Sequence, residues 1–365
     1  MLIRKLRVGR WRNLASETLP LGPRVTVLFG RNGQGKSNLL EAAYYSIAFR
    51  SFRTTSSADL VSWGADGAEV EAAITLRGLE RTLRVRLEPG KKTATLDGKT
   101  VRRDAEALDG AGVVIFGPED LRLPRGPAAD RRRAIDRAIF AVHRSYYREA
   151  LDFDRALKAR NGLLRRGDFS QELLESYDET LAKTGARIVV RRRALLGALA
   201  PGFSQSFGEI HGGIDGTLRY RSDARVEAAG AEADVEEALR AGLIAHRATD
   251  QRRGFTGFGP HTDDLDIVLA GRLARDHGSQ GQLRSLVLAL KFAELRYVEE
   301  GNREMPVLLL DDVASELDQD RRARLFATLE ATACQTLLTV TERRLLPDLP
   351  GRVDWQVSEG HLQAV

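Results

Sequence analysis

The chain has 365 residues, enough for one large α/β domain or two smaller ones with ample material for a core. Hydrophobic residues make up 42% and charged residues 29%, and the formal net charge of +5 excludes a globally polycationic protein, so any nucleic-acid surface has to come from local clustering. The one cysteine, Cys334, excludes an internal disulfide framework and a multi-cysteine zinc site. Met1-Leu2-Ile3-Arg4-Lys5 begins no apolar core of signal-peptide length, and no apolar run approaches a membrane span. The expectation is a reduced, cytoplasmic protein with no membrane association.

A strand is predicted from Leu2 to Val8, with Trp11-Arg12-Asn13-Leu14 turning into the next strand. Val25-Thr26-Val27-Leu28-Phe29 is a short apolar run rich in β-formers, hence a buried strand. It runs into Gly30-Arg31-Asn32-Gly33-Gln34-Gly35-Lys36-Ser37, the G-x-x-x-x-G-K-[ST] pattern of a phosphate-binding loop. Glycines there permit tight, positive-φ turns that aim successive N–H groups at a polyphosphate. Lys36 is expected to bring an ammonium to the β- and γ-phosphates, and the Ser37 hydroxyl to complete the shell of Mg²⁺. Leu39, Leu40, Ala43 and Ile47 recur at helical spacing after it, so the loop opens a helix whose N-terminal dipole favours the anion. From about Ala68 to Val101 alternating residues are separated by turns at Arg77-Gly78, Pro89-Gly90 and Asp97-Gly98, which predicts an antiparallel β layer. Val113-Val114-Ile115-Phe116 reads as another buried strand, ended by Gly117-Pro118.

From Pro127 to about Thr249 the composition predicts a bundle of helices, kept short by breakers at Gly162, Gly167, Pro201-Gly202 and Gly212-Gly213. Leu218 to Arg221 is a candidate strand, and the lack of a sustained heptad array argues against a long coiled-coil arm. Beyond Gly254, strand and helix signals alternate again. A hairpin over Leu265 to Ala274, a long helix over Gln282 to Glu299, an apolar strand at Val307-Leu308-Leu309-Leu310, a helix after Asp318, a strand over Thr336 to Val340 and a closing hairpin at Glu359-Gly360 are expected. The fold class is α/β: a P-loop ATPase head with an antiparallel β layer and an inserted α-helical lobe. The head is expected from residues 1–120 and 254–365, the lobe from 121–253.

A phosphate loop needs an acidic partner for its metal. Asp311 and Asp312 close the run Val307 to Leu310 at the carboxyl end of a buried strand, where α/β sheets place ligands. Asp311 fits the holding of Mg²⁺, and Asp312 fits the orienting or deprotonation of an attacking water, with Lys36 as its electrostatic counterpart in catalysis. Asp318 reads as a helix N-cap. Ser279-Gln280-Gly281-Gln282 directly precedes the long helix, so its hydroxyl and backbone donors stand at a positive helix terminus and suit the γ-phosphate held by a second subunit. The plainer alternative is an ordinary polar helix start. His261 with Asp263 and Asp264 is a weak candidate metal cluster.

Between Leu121 and Arg137 stand six arginines, Arg122, Arg125, Arg131, Arg132, Arg133 and Arg137, against two acids; Arg187 with Arg191-Arg192-Arg193 forms a second cluster. Such clusters suit phosphate contacts that position a duplex, and the alternative for each is a solvated face with local ion pairs. Aromatic residues are only 6%, which disfavours single-strand base stacking.

Together these motifs resemble the ATP-binding-cassette ATPases of chromosome maintenance, the RecF/SMC group, and within it the recombination-repair branch. The resemblance is carried by residues 30–42, by Arg50-Ser51-Phe52-Arg53-Thr54 and by Phe116-Gly117-Pro118-Glu119-Asp120-Leu121. Gly259-Pro260-His261-Thr262-Asp263-Asp264-Leu265, Ser279-Gln280-Gly281-Gln282 and residues 310–318 complete it. It implies a protein that dimerises on ATP, binds DNA at duplex and single/double-strand junctions, and helps RecR and RecO load RecA at gaps, at the nucleoid. It also implies that Arg12, Asn13 and Asn38 lie near the nucleotide, that Ser279 to Gln282 act from the opposite subunit, and that Ser315-Glu316-Leu317-Asp318 crosses the dimer interface. Asp312 stands where the wider cassette family carries a glutamate, which fits weak hydrolysis used as a switch. Thr341-Glu342 stands at the position of the transporter switch histidine, and Glu119 or Asp120 near that of the Q-loop glutamine. The rival readings are an ATP-driven cassette subunit of a transporter and a scaffold that switches partners without DNA.

Overall fold

The computed structural model of the chain describes residues 1–101, 108–211, 213–332 and 334–365. In chain order these form β1 (Leu2–Gly9), β2 (Glu17–Pro20), β3 (Val25–Phe29), α1 (Lys36–Ala48), β4 (Ala68–Leu76), β5 (Leu79–Glu88), β6 (Lys91–Leu96), β7 (Lys99–Thr100) and β8 (Val113–Phe116). Then follow α2 (Ala128–Val142), α3 (Tyr146–Arg166), α4 (Gln171–His211), β9 (Gly216–Arg221), the short α5 (Ala224–Ala228) and α6 (Glu232–Arg253). β10 (Asp264–Leu269), β11 (Arg272–Leu273), α7 (Ala274–His277) and α8 (Gln280–Asn302) lead to β12 (Val307–Asp311), α9 (Val313–Glu316) and α10 (Gln319–Ala331). The strands β13 (Thr336–Val340), β14 (Arg352–Ser358) and β15 (His361–Ala364) end the chain.

These elements divide into two compact units, Met1–Leu121 with Glu294–Val365, and Arg122–Ala293. The first contains two six-stranded sheets. One is antiparallel, in the order β2-β1-β4-β5-β6-β7, and it buries every second residue of β4, as the alternation of apolar and polar residues requires. The other runs β15-β14-β3-β13-β12-β8, parallel except for β15. Its strands β8 and β13 are buried at every residue, which is why they read as unbroken apolar runs. α1 packs against strands of both sheets and is buried nearly all round. Gln335 joins the sheets at one end: it accepts from Ile3 N at 2.7 Å and donates to Ile3 O at 2.8 Å and Gly22 O at 2.7 Å.

The second unit holds α2 to α7, the three-stranded sheet β11-β10-β9 and the start of α8. Residues 254–293, expected with the ATPase head, belong to it. β10 pairs along its whole length with β9, and Arg131 on α2 grips Asp264 on β10 with two bonds of 2.7 and 2.9 Å. The predicted short helices are not found. Gly162 lies inside α3, and α4 runs for 41 residues through Pro201-Gly202. A proline inside a helix costs about 3 kcal/mol, which burial of Leu195, Leu196, Leu199, Phe203 and Phe207 on both sides of it offsets. Gly167 does end α3, at φ 74°. Gly212 lies outside the described residues, and Gly213 takes φ 85° just past α4. The unit's core contains charge as well: Arg160, fully buried, donates to Asp178 at 2.7 Å, Asp250 at 2.8 Å and Thr256 at 2.8 Å.

Candidate functional site

The loop between β3 and α1 takes the shape its sequence demands. Gly30, Gly33 and Gly35 adopt φ of 150°, 80° and 111°. A Cβ at Gly30 would overlap the main-chain oxygen of Val357, and one at Gly35 would lie 2.6 Å from Leu14 Cδ2, so both are excluded by sterics as well as by φ. Lys36 Nζ donates to the carbonyls of Gly30 at 2.6 Å and Arg31 at 2.8 Å, across the loop's own turn. Burial pulls the Lys36 ammonium below the ordinary lysine range against the opposing attraction of Asp312 and Asp311. The ammonium is thus held poised in the loop by neutral acceptors that a phosphate oxygen can replace.

In the parallel sheet β13 separates β3 from β12, so the loop and the acidic strand end two strands apart. The two are joined by side chains. Ser37 Oγ donates to Asp311 Oδ1 at 2.7 Å, and Thr339 Oγ1 donates to the same oxygen at 2.8 Å. Thr339 Oγ1 also accepts the main-chain N–H of Asp312 at 2.8 Å, which fixes the turn where Asp312 adopts φ 53°. The Asp312 carboxylate accepts from Ser315 Oγ at 2.6 Å. Ser37 and Asp311 make an all-oxygen donor pair of the kind a hard cation such as Mg²⁺ prefers, beside a lysine suited to phosphate. Thr339 is the member that sequence reading missed; a threonine inside an apolar strand carries no signal until its neighbour strands are known.

The residues predicted beside the nucleotide form one polar chain. Asn13 Nδ2 donates to Gly33 O at 3.1 Å, Asn38 Nδ2 to Asn13 Oδ1 at 2.7 Å, and Arg53 Nη1 to Asn38 Oδ1 at 2.9 Å. Gln34 Oε1 accepts the Glu359 N–H at 2.6 Å. Arg12 is held by Glu41 through Nε and, at 2.8 Å, through Nη2, and Ser51 Oγ donates to the same carboxylate. Glu41 is fully buried, one helical turn beyond Ser37, and its bond holds the Arg12 guanidinium above the usual arginine range. Glu41 lies within the family motif, and the sequence alone assigns it no role. Arg31 and Asn32 are exposed at the tip of the loop.

Other sequence candidates take structural positions. Asp318 caps α10 by accepting the Arg321 N–H at 3.0 Å. Asp120 is buried and accepts the Gly117 N–H at 2.9 Å, while Glu119 is exposed. Glu342 pairs with Arg344 on the surface.

In the second unit Ser279 to Gln282 form a reciprocal helix cap. Ser279 N donates to Gln282 Oε1 at 2.9 Å, and Gln282 N donates to Ser279 Oγ at 3.2 Å. Ser279 and Gln280 are exposed, and Ser285 Oγ donates to Gly281 O at 3.1 Å. The turn is thus pre-shaped at the start of α8 with its polar surface in solvent.

The arginine clusters divide by burial. Arg131 and Arg192 are internal: the first chelates Asp264, and the second chelates Asp136 at 2.9 and 3.0 Å and donates to Pro260 O at 2.7 Å. Arg193 donates to Ala229 O at 2.7 Å, and Arg125 to Gly278 O at 2.9 Å. Arg133 and Arg187 remain on the surface, in exposed ion pairs with Asp130 and Glu232. His261, Asp263 and Asp264 make no metal site: among the described residues no group of three or more ligating side chains converges. His261 Nε2 instead contacts Thr256 O at 2.9 Å, and Asp263 accepts from Tyr220.

A parallel sheet with this loop at one strand end and this acid pair at another is the head of an ATP-binding-cassette P-loop ATPase. Residues 2–350 match the family model described as RecF/RecN/SMC N terminal domain, and the chain belongs to that family, on its RecF side. It is 41% identical over 350 residues to the DNA replication and repair protein RecF of Myxococcus xanthus (strain DK1622), covering 95% of this chain and 92% of that one. It is 40% identical over 343 residues to RecF of Geobacter sulfurreducens, covering 94% and 93%. The solved structure of the recombination mediator protein RecF-ATP in the RecFOR pathway aligns with a TM-score of 0.89 at 31% identity, over 100% of this chain and 97% of that one. An Smc head bound to the C-winged helix domain of ScpA aligns at 17% identity with a TM-score of 0.56, over 100% of this chain and 97% of that one, a likeness of fold. No helix among the described residues is long and apolar enough to cross a membrane.

Proposed function

We propose that this chain is a DNA repair and recombination mediator that binds ATP with Mg²⁺, pairs with a second copy on the bound nucleotide, and engages DNA in that state. The observation that carries the reading is the joining of the phosphate loop to the acidic strand, Ser37 Oγ to Asp311 Oδ1 at 2.7 Å, with Lys36 held beside them. Lys36 exchanges its loop carbonyls for phosphate oxygens, and Ser37 and Asp311 hold the cation. Bound Mg²⁺ supplies charge neutralisation and alignment of the phosphates. Asp312 orients water for hydrolysis, and the shorter aspartate side chain suits a slow switch. The exposed Ser279 to Gln282 cap reaches the γ-phosphate of the partner copy, and Asp318 lies at the seam between copies. Similarity to RecF in the RecFOR pathway supports a role with RecO and RecR in loading RecA at gaps, supporting replication restart and the response to DNA damage.

Sedimentation of the full chain with and without ATP and Mg²⁺, and then with gapped duplex, tests this. A monomer that becomes a dimer with nucleotide and binds DNA with a steep salt dependence, a log–log slope of roughly −0.9 per phosphate neutralised, is expected. An ATP-saturated species that stays solitary, or DNA affinity that is equal without nucleotide, overturns it. Dimerisation with indifference to DNA identifies a transporter subunit or a switch scaffold instead.

A further inference from the structure

The helical unit contains a cavity that the nucleotide chemistry does not use. α2, α3, α4 and the turn around Pro260 enclose about 250 Å³ between them. Phe153, Leu157, Ile188 and Pro260 give it an apolar lining, Arg132, Arg133 and Arg192 add positive charge, and Asp136 and Asp154 add negative charge.

The charges in and around this cavity do not balance. Arg192 is chelated by Asp136, whose Oδ1 also accepts from Tyr146 OH at 2.5 Å. Arg133 pairs with Asp130, and Asp154 pairs with Lys158 at 2.6 Å. Arg132 has no such partner: its Nη1 donates to the main-chain oxygen of Asp263 at 2.6 Å, and among the described residues no carboxylate stands within ion-pairing distance of it. The carboxylates in its wider surroundings are Asp264, Asp136 and Asp263. Asp264 is engaged by Arg131 and Arg221, Asp136 by Arg192, and Asp263 by the Tyr220 hydroxyl. Burial and the neighbouring Arg192 charge both press the Arg132 guanidinium below the ordinary arginine range, the mark of a half-buried cation short of counter-charge.

We propose that this cavity binds a carboxylate carried on an apolar body, with the Arg132 guanidinium taking the carboxylate and Phe153, Leu157 and Ile188 taking the apolar part. A guanidinium fork matches the two oxygens of a carboxylate, and binding there supplies the missing charge. An apolar wall leaves a phosphate dianion poorly solvated but suits a benzyl or isobutyl group. The space is adequate, since a cavity of roughly 150 Å³ admits benzene. Two sources share this chemistry: a free organic acid, and the carboxyl terminus of a polypeptide that ends in an apolar residue.

Calorimetric titration of the full chain with 3-phenylpropionate, 3-phenylpropionamide, N-acetyl-leucyl-phenylalanine and inorganic phosphate tests the site. Both acids are expected to bind, and the amide at least tenfold more weakly. Tighter binding of the dipeptide than of phenylpropionate identifies a chain terminus as the natural occupant, and equal binding a free acid. Arg132→Gln should weaken the acids about tenfold while the helical circular dichroism and the urea midpoint of the helical unit stay unchanged, which shows that the variant is folded. Ala150→Phe, which fills the cavity from α3, should abolish acid binding with the helical circular dichroism again intact. An amide that binds as well as the acid, phosphate that displaces it equally, or acid binding untouched by Arg132→Gln overturns the proposal.

Discussion

Ser37 and Asp311, 274 positions apart in sequence, meet at 2.7 Å where the phosphate loop and the acidic strand converge. Thr339, on the strand between them, donates to the same carboxylate oxygen. The site therefore contains this hydroxyl–carboxylate pair already assembled.

Asp311→Asn keeps the shape of the side chain but removes the charge. Mg²⁺-dependent ATP binding should weaken at least tenfold, while nucleotide binding in EDTA changes little. Thr339→Val should give a smaller loss, because it leaves the Asp312 N–H without its acceptor and the Asp311 carboxylate less firmly held. Fluorescent-nucleotide titration with and without the cation measures both.

Glu41→Gln should break the paired charges that fix Arg12. Removing one partner of a buried ion pair costs up to about 3–5 kcal/mol, and the partial exposure of Arg12 moderates this to about 2 kcal/mol. Urea denaturation should reveal the loss. Arg12→Gln combined with Glu41→Gln should recover part of it, and a double variant no better than the sum of the singles would show that the two do not act as a pair.

Asp263 sets a pH dependence in the helical unit. Burial raises its carboxyl from 3.8 to about 6. Because the folded state then binds more protons than the unfolded one between these values, stability falls as pH rises from about 4 to 6 and stays lower above that. Asp263→Asn should flatten this part of the stability profile and raise stability at pH 7 by about 2 kcal/mol, relative to pH 4. An unchanged slope between pH 4 and 6 in denaturant titrations would assign it to another group.

Ser279→Arg places a long cation in the exposed cap of α8 while sparing the phosphate loop. ATP affinity should remain, and the ATP-dependent change in sedimentation coefficient should vanish. A variant that still dimerises with nucleotide removes the trans-acting role of this turn.

Arg131 and Arg133 are two positions apart but should respond oppositely. Arg131→Ala leaves the buried Asp264 with the half-exposed Arg221 as its remaining ionic partner and should cost about 3 kcal/mol of stability. Arg133→Gln, in a surface pair, should change stability by no more than about 0.5 kcal/mol and make the salt slope of DNA binding shallower by roughly 0.9 if it contacts a phosphate. Chemical denaturation and DNA titration across salt separate the two.

Much of the chemistry was legible because it is written in contiguous residues. The loop Gly30 to Ser37 needs its glycines for backbone reasons that hold in any fold, Asp311-Asp312 follow an apolar run of strand length, and Ser279 with Gln282 has helix-cap spacing. Both strand periods could be read too, alternating in β4 and continuous in β13, since each follows from how many faces are buried. What remained hidden depends on partners distant in sequence. Arg131 and Arg133 look alike in the chain, and only the placement of Asp264 on β10 makes one a core ion pair and leaves the other in solvent. Gly162 and Pro201 read as helix ends because local propensity was the only term visible, whereas α3 and α4 continue through them under tertiary packing. Thr339 and Glu41 gained their roles the same way, through strand order and through the burial of α1 between two sheets. Backbone conformation and period are local properties and belong to the sequence; charge pairing and burial are properties of the fold, because the energy of an ion or a methylene is set by what surrounds it.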